Sequence, residues 1–290
     1  MISISNEALR VQINEVGAEL TSVQHRGLER IWEGDPSIWG KHAPLLFPLI
    51  GRMDGQQYTL GGQIYPAPRH GFCRERTFAV TRHSETGVTF HTAATPDTLA
   101  VYPFDFALDV TFALEGSTLV KTHRITNRSP EPMPFELGGH EAYRTTLLPG
   151  ETMADYGVAF EGLSALSLYG MDDEGMLTLP KRTVALRDGV LEQLPADLGL
   201  DTIVLDAPAI RRASLVSRSS GRHVTVDFGD FDYLGIWTAQ VGRDTNYLCI
   251  EPWSTLPDGR FMGRGLHDKT GIQIAQPGET RTLSYRITFA

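Results

Sequence analysis

The 290-residue sequence has few of the features that mark disulfide-rich, membrane or secreted proteins. It contains two cysteines, Cys73 and Cys249, which lie far apart and next to apolar residues. We therefore expect two buried free thiols rather than a disulfide. No apolar run reaches the roughly 18 residues that a membrane-spanning helix needs, and the first residues lack the basic region and apolar core of a signal peptide. These absences favour a cytoplasmic protein with no membrane partner.

Positive charge is also scarce. The formal net charge is −9 and no long block of lysine and arginine occurs, which argues against nucleic acid as a partner. An anionic small ligand stays open, because a few arginines can cluster locally. Hydrophobic residues make up 41% of the chain and charged residues 21%, as in ordinary globular proteins. For this length we expect one domain over residues 1–290, as a monomer or a homodimer.

Several well-known catalytic motifs are missing. Residues 140–144 (His-Glu-Ala-Tyr-Arg) lack the second histidine of the zinc-protease motif, and no Cys-x-x-Cys pair occurs. A Gly-x-Ser-x-Gly elbow is absent, and the glycines near position 263 lack the strand–helix context of a phosphate-binding loop. These absences argue against metal, serine-hydrolase and nicotinamide chemistry. We expect no cofactor and a small-molecule substrate.

The sequence is rich in segments where apolar and polar residues alternate with a period of two, the pattern of β-strands. No segment predicts a helix of three turns, and no internal repeat occurs. The pattern favours an all-β fold, a large antiparallel sandwich. The predicted strands cover residues 9–13, 19–23, 77–82, 88–92, 106–114, 119–126, 202–205, 213–216, 223–228, 234–237, 247–250 and 282–289, and residues 58–65 predict a hairpin.

Four polar residues stand at the ends of apolar segments: Arg52, His70, His140 and Glu251. Two glycines before His140 permit a sharp turn, and Pro252 is expected to halt strand pairing directly after Glu251. Each of these residues alone is more often structural than functional. A carboxylate and an imidazole that face one cleft, however, form an acid/base pair. The reaction that needs only such a pair is proton transfer on a substrate with two acidic or basic oxygens, such as a sugar hemiacetal.

Five segments, in order along the chain, resemble the aldose 1-epimerase (galactose mutarotase-like) superfamily and, within it, the LacX-like branch. The resemblance covers essentially the whole length. It implies a β-supersandwich fold and a cofactor-independent isomerase. The segments are residues 47–52 (Phe-Pro-Leu-Ile-Gly-Arg), 69–72 (Arg-His-Gly-Phe), 101–106 (Val-Tyr-Pro-Phe-Asp-Phe), 138–140 (Gly-Gly-His) and 249–253 (Cys-Ile-Glu-Pro-Trp).

The resemblance also implies a role for each candidate residue. Glu251 would remove the proton of the C1 hydroxyl, and His140 would protonate the ring oxygen. The ring would open to the aldehyde, rotate about C1–C2 and close to the opposite anomer. His70 would orient the sugar near the reacting oxygens, and Arg52 would hold hydroxyls on the far side of the ring.

Three further residues are candidates for substrate binding. Asp201 resembles the sugar-binding aspartate of the family, although Thr202 follows it where galactose mutarotases have histidine. Trp237 is either a stacking wall for the sugar or a core residue. Arg74 matches a His-Gly-Phe-x-Arg pattern of hexose-6-phosphate mutarotases. We therefore expect an epimerase of free hexoses, with a hexose-6-phosphate 1-epimerase and a non-catalytic carbohydrate-binding protein as the alternatives.

Overall fold

The computed structural model describes residues 1–207, 210–239 and 245–290, and within them the chain is almost entirely β-structure. In this described part of the chain the one α-helix, α1, is Pro96–Leu99, and the short 3-10 helices are Asp54–Gln56, Cys73–Glu75, Met153–Asp155, Pro195–Leu198 and Leu266–Asp268. The strands are β1 Ile2–Ser5, β2 Leu9–Asn14, β3 Glu19–His25, β4 Leu28–Glu29, β5 Gln57–Leu60, β6 Gln63–Pro66, β7 Ala79–His83, β8 Gly87–Ala93, β9 Phe106–Glu115, β10 Thr118–Asn127, β11 Met133–Phe135, β12 Ala142–Arg144, β13 Tyr156–Ala159, β14 Ala165–Met171, β15 Leu177–Ala185, β16 Val190–Leu191, β17 Ile203–Asp206, β18 Arg212–Ser217, β19 His223–Asp227, β20 Tyr233–Trp237, β21 Tyr247–Trp253, β22 Gln273–Ala275 and β23 Thr280–Phe289.

Two antiparallel sheets organise the described residues. Sheet A has nine strands in the order β16-β13-β18-β19-β23-β10-β9-β8-β7, and sheet B has six in the order β12-β21-β20-β17-β14-β15. Three smaller sheets hold β1 to β4, the pair β11 and β22, and the hairpin of β5 and β6. The predicted all-β, antiparallel architecture is confirmed, and so is the predicted hairpin within residues 58–65.

The main core lies between the two sheets. One buried cluster contains Phe112 and Leu119 from sheet A together with Leu248 and Ile250 from sheet B. Removing each such side chain from water stabilises the fold by about 1.5–3 kcal/mol. Because alternate residues of a strand point to opposite faces, the residues that alternate with Leu248 and Ile250 along β21 lie on the other face of sheet B, away from this core.

Pro252 does not end strand pairing, so that prediction was wrong. β21 runs through to Trp253, with Pro252 opposite Leu234 of β20. The carbonyl oxygen of Pro252 accepts the N–H of Gly139 at 3.0 Å, on the side away from β20. In an antiparallel strand the N and O of one residue point to the same side. The missing N–H of Pro252 therefore faces a turn rather than a neighbouring strand, and the ladder to β20 is intact.

Both cysteines are buried and free, as predicted. None of the helices in the described residues is long and apolar enough to cross a membrane.

Candidate active site

The outer face of β21 carries the first half of the site. Cys249, Glu251 and Trp253 alternate with the core residues of this strand and share its other face. Gly235 of β20 lies opposite Glu251, and a Cβ there would come within 2.4 Å of the Trp253 ring. The Trp253 indole therefore lies over Gly235, beside a carboxyl group that is almost fully buried.

A tight turn positions His140. Gly138 bridges Leu46 and Trp253 on its two sides, and a Cβ on Gly138 would come within 2.7 Å of the Trp253 ring. A Cβ on Gly139 would meet the Tyr285 hydroxyl at 2.3 Å. Glycine is thus required twice because the turn packs directly on its neighbours. The result is a nearly buried imidazole held against β21.

A second turn positions His70 and fixes its tautomer. His70 has φ 64° and Gly71 has φ 69°, and a Cβ on Gly71 would lie 2.2 Å from the Phe47 carbonyl oxygen. The N–H of Gly51 donates to Nδ1 of His70 at 3.1 Å. Because Nδ1 accepts, the proton of the neutral ring is on Nε2. Burial keeps the pKa of His70 well below its usual value, so this histidine is a neutral hydrogen-bond donor.

The structure brings Glu251, His140 and His70 together. His140 Nδ1 lies 3.5 Å from Glu251 Oε1, and the rings of His140 and His70 are 5.6 Å apart, edge to face. All three line a cavity of about 450 Å³, a volume within the usual range for a small-molecule site. The other lining residues are Gly51, Arg52, Arg69, Met171, Asp172, Asp173, Glu174, Gly175, Ala196, Gly199, Leu200, Asp201, Thr202, Trp237, Trp253 and Pro257.

Three of the four predicted binding residues other than His70 line this cavity, and one does not. Arg52, Asp201 and Trp237 line it, together with Arg69. Arg74 is not among the lining residues, and its Nε lies 3.6 Å from Glu75 Oε1.

Burial shifts the pKa of each catalytic candidate toward its neutral form. It raises the pKa of Glu251 well above the usual value, and the neighbouring Glu141 carboxylate adds to this effect. It lowers the pKa of His140 to about 3, and the positive charge of Arg69 adds to that shift. In each case loss of contact with water is the largest cause. Across a wide pH range the pair therefore holds one proton in total.

Aromatic contacts around His140 were not predicted. Trp39 stacks on the imidazole with ring centroids 5.0 Å apart, and Trp237 meets it edge to face at 5.4 Å. The main chain fixes Trp39, because its carbonyl oxygen accepts the indole N–H of Trp32 at 2.8 Å. No alternation or motif surrounds Trp39 in the sequence, so no signal pointed to it.

The acidic lip of the cavity was also not predicted. It is the turn of residues 172–175 between β14 and β15. Arg260 fixes this turn by donating to Asp172 Oδ2 at 2.7 Å and to Glu174. Acidic residues beside glycine are common in surface turns, so no feature of the sequence distinguished this turn from others.

One group within the described residues has the composition of a metal site: His140, Cys249 and Glu251, whose ligand atoms lie within 4.8 Å of one another. A metal ion would need the Cys249 thiolate. Burial raises the pKa of that thiol well above its usual value and so disfavours the thiolate. The arrangement suits proton transfer better than metal binding.

Comparison with known proteins identifies the family of this chain. The aldose 1-epimerase family matches residues 1–288. The chain belongs to the aldose 1-epimerase family. This assignment confirms the resemblance seen in the five sequence segments.

Individual relatives cover the whole chain. The chromosomal protein LacX of Lactococcus lactis subsp. lactis is 33% identical and covers 99% of this chain and 98% of its own length. A galactose mutarotase-like protein from Lactobacillus casei ATCC 334 superposes with a TM-score of 0.92 at 30% identity, over 100% of both chains. A galactose mutarotase related enzyme from Lactobacillus acidophilus gives 0.93 at 28% identity, over 100% of this chain and 97% of that one. The galactose mutarotase-like fold is therefore established.

Proposed function

We propose that this protein is an aldose 1-epimerase that interconverts the α and β anomers of a free hexose. The observation that carries the proposal is the close approach of His140 and Glu251, with Nδ1 and Oε1 3.5 Å apart, on the wall of a cavity of about 450 Å³. Membership of the aldose 1-epimerase family supports it. Anomer interconversion needs one proton removed and one supplied, which this pair provides without any other reactive group.

Protons are conserved over one catalytic cycle. Glu251, as the carboxylate, takes the proton of the C1 hydroxyl while His140, as the imidazolium, gives a proton to the ring oxygen. The C1–ring oxygen bond breaks and an aldehyde forms. Rotation about C1–C2 turns the other carbonyl face toward the ring hydroxyl, and reclosure returns both protons to their starting groups. Nothing is oxidised, and no covalent bond to the protein forms.

Burial makes the neutral forms of Glu251 and His140 the resting state of the pair. The ionised pair that starts the reaction forms when a proton passes from Glu251 to His140, whose Nδ1 lies 3.5 Å from Oε1. Ring opening then returns both groups to the neutral forms that their dry surroundings stabilise. A positioned acid or base contributes about 10²–10⁴-fold.

Other lining residues are placed to hold the sugar. Neutral His70 has Nε2–H available to donate to a sugar oxygen near the reacting centre. Arg52 and Asp201 offer a donor and an acceptor for hydroxyl groups at the cavity wall, and the Trp237 ring offers an apolar face.

A hexose 6-phosphate is the second candidate substrate. Arg52 and Arg69 both line the cavity, and neither has a carboxylate partner among the described residues. Unpaired guanidinium groups suit a phosphate. Against it stand Asp173 in the acidic lip and Asp201 elsewhere on the cavity wall, because both carboxylates would repel a dianion. A free hexose therefore fits the charge of the whole cavity better.

Polarimetry on a panel of freshly dissolved α-hexoses tests the proposal, with glucose 6-phosphate run in parallel. We expect acceleration over the spontaneous rate for at least one free hexose, and loss of at least about 10²-fold in kcat for Glu251→Gln. The exposed Glu161 provides a matched control, because Glu161→Gln makes the same chemical change away from the cavity. Acceleration of the phosphorylated sugar alone would favour the second candidate, and no acceleration of either class would leave a carbohydrate-binding protein.

A further inference from the structure

A fully buried charged network lies beneath the turn that carries His140. Oε1 of Glu141 accepts hydrogen bonds from the Lys121 ammonium at 2.9 Å and from the Tyr285 hydroxyl at 2.5 Å. Lys121 and Tyr285 face each other on β10 and β23, at the centre of sheet A. The network therefore joins sheet A to the residue that enters β12 of sheet B.

Stability alone does not explain this network. A buried ion pair loses the hydration of both charges, and well-packed apolar residues often replace such a pair without loss of stability. Lys121 lies on the apolar face of β10 between Leu119 and His123, with its ammonium over the Phe112 ring at 5.5 Å. An aliphatic side chain would suit that position. The charge at Glu141 thus has an energetic cost that calls for another role.

The turn of residues 138–140 packs directly on the network. A Cβ on Gly139 would lie 2.3 Å from the Tyr285 hydroxyl oxygen and 2.6 Å from Glu141 Oε2. On its other side the N–H of Gly139 donates to the carbonyl oxygen of Pro252, one residue after Glu251. The same peptide is therefore fixed from below by the network and from the side by the strand that carries Glu251.

We propose that Glu141, held by Lys121 and Tyr285, is a positioning residue that fixes the turn of residues 138–140 and with it the separation of His140 and Glu251. Glu141 is buried and lies outside the cavity lining, so it acts through those two residues. The catalytic consequence rests on the proposed function.

The Glu141 carboxylate also acts on Glu251 through its charge. After burial it is the largest cause of the raised pKa of Glu251, with Asp201 adding to the effect and Arg69 and the Trp253 indole N–H opposing it. Removing the negative charge of Glu141 lowers the pKa of Glu251. The single-proton pair then loses its proton at lower pH. Among the described residues, the titratable and charged groups that face Glu251 are His140, Cys249, Glu141, Arg69, Asp201 and Tyr247.

Two tyrosines allow a matched test. Tyr285→Phe removes one hydrogen bond to Glu141 and keeps the ring, whereas the Tyr143 hydroxyl is buried and has no hydrogen-bond partner among the described residues. We expect Tyr285→Phe to lower kcat about tenfold with KM within about twofold, because a small displacement of a catalytic group is costly. Tyr143→Phe should keep the parent kcat. Equal kcat values for the two variants would overturn the proposal.

A double variant separates positioning from folding. Lys121→Met combined with Glu141→Gln removes both charges together and leaves no unpaired ion buried. We expect a folded protein in which the alkaline limb of the pH–rate profile lies at lower pH than in the parent. The carboxyl carbon of Glu251, assigned in ¹³C NMR by comparison with Glu251→Gln, should titrate at lower pH as well.

The NMR titration needs no turnover, so it keeps the two proposals apart. A parent protein that accelerates no sugar would refute the proposed function, whereas a shifted Glu251 titration in the double variant would still show that the Glu141 charge acts on Glu251. A folded double variant in which the Glu251 titration matches the parent would overturn that electrostatic effect, whatever the activity, and the Tyr285→Phe variant tests the positioning of the turn.

Discussion

The buried acid/base pair predicts that activity depends little on pH from the acid range into the alkaline range. Isolated glutamate and histidine side chains, with pKa values of about 4.3 and about 6.5, would share a single proton only between those two values. In this protein burial lowers the pKa of His140 to about 3. It also raises the pKa of Glu251 well above its usual value. The window in which the pair holds one proton is therefore wider on both sides.

The direction of each limb follows from the proton count. Below the lowered pKa of His140 both groups carry protons, so no base is left and the rate falls. Above the raised pKa of Glu251 neither group carries a proton, so no acid is left and the rate falls again. The two limbs belong to the coupled pair rather than to either residue.

Two-dimensional NMR exchange between the anomeric protons measures the enzymatic rate across this range, after subtraction of the spontaneous rate at each pH. We expect kcat/KM to stay level through pH 4.5, with the acid limb near about 3. A narrow bell with its acid limb near about 4.3 and its alkaline limb near about 6.5 would refute the reasoning, because it would show two solvated groups.

Two substitutions test how the histidines are positioned. Trp39→Leu removes the ring stacked on His140, so we expect kcat to fall by up to about tenfold, the equivalent of about 0.5–1.5 kcal/mol for an aromatic pair; Trp39→Phe should restore part of it, and a Leu variant with parent kcat would contradict the assignment. Gly71→Ala combines a positive φ with a contact 2.2 Å from a backbone oxygen, whereas Gly62→Ala has φ 80° and open space. Urea unfolding should show a loss of about 1–2 kcal/mol for Gly62→Ala and a clearly larger loss for Gly71→Ala; equal losses would mean that the close approach at Gly71 costs nothing.

The strands and the catalytic candidates were predictable because their signals are local. The apolar run of residues 247–250 predicted a strand directly before Glu251, and the Gly-Gly pair before His140 indicated a tight turn. A short motif of this kind preserves residue type and spacing together, so a resemblance could assign roles to both side chains. Their closeness in space, however, follows only from the pairing of β12 with β21.

What the sequence did not show depends on contacts between distant residues. Trp39 meets His140 across about a hundred residues of chain, and Lys121 meets Glu141 because two sheets pack face to face. Lys121 lies on the buried face of β10, where an apolar residue is expected. A lysine at such a position is the one local irregularity that points to the network. Pro252 was misread for a related reason, since the effect of a proline depends on which neighbour its nitrogen faces.

NMR exchange spectroscopy of a free hexose in D₂O, with the parent protein and with Glu251→Gln, tests the proposed reaction most directly. For the parent we expect exchange between the α and β anomeric protons above the spontaneous rate, and for the variant we expect loss of that excess. The protons on C1 and C2 should be fully retained, because only oxygen-bound protons move. A variant as active as the parent would contradict the role of Glu251. Deuterium appearing at C2 would contradict ring opening as the reaction, since it would require proton removal from carbon.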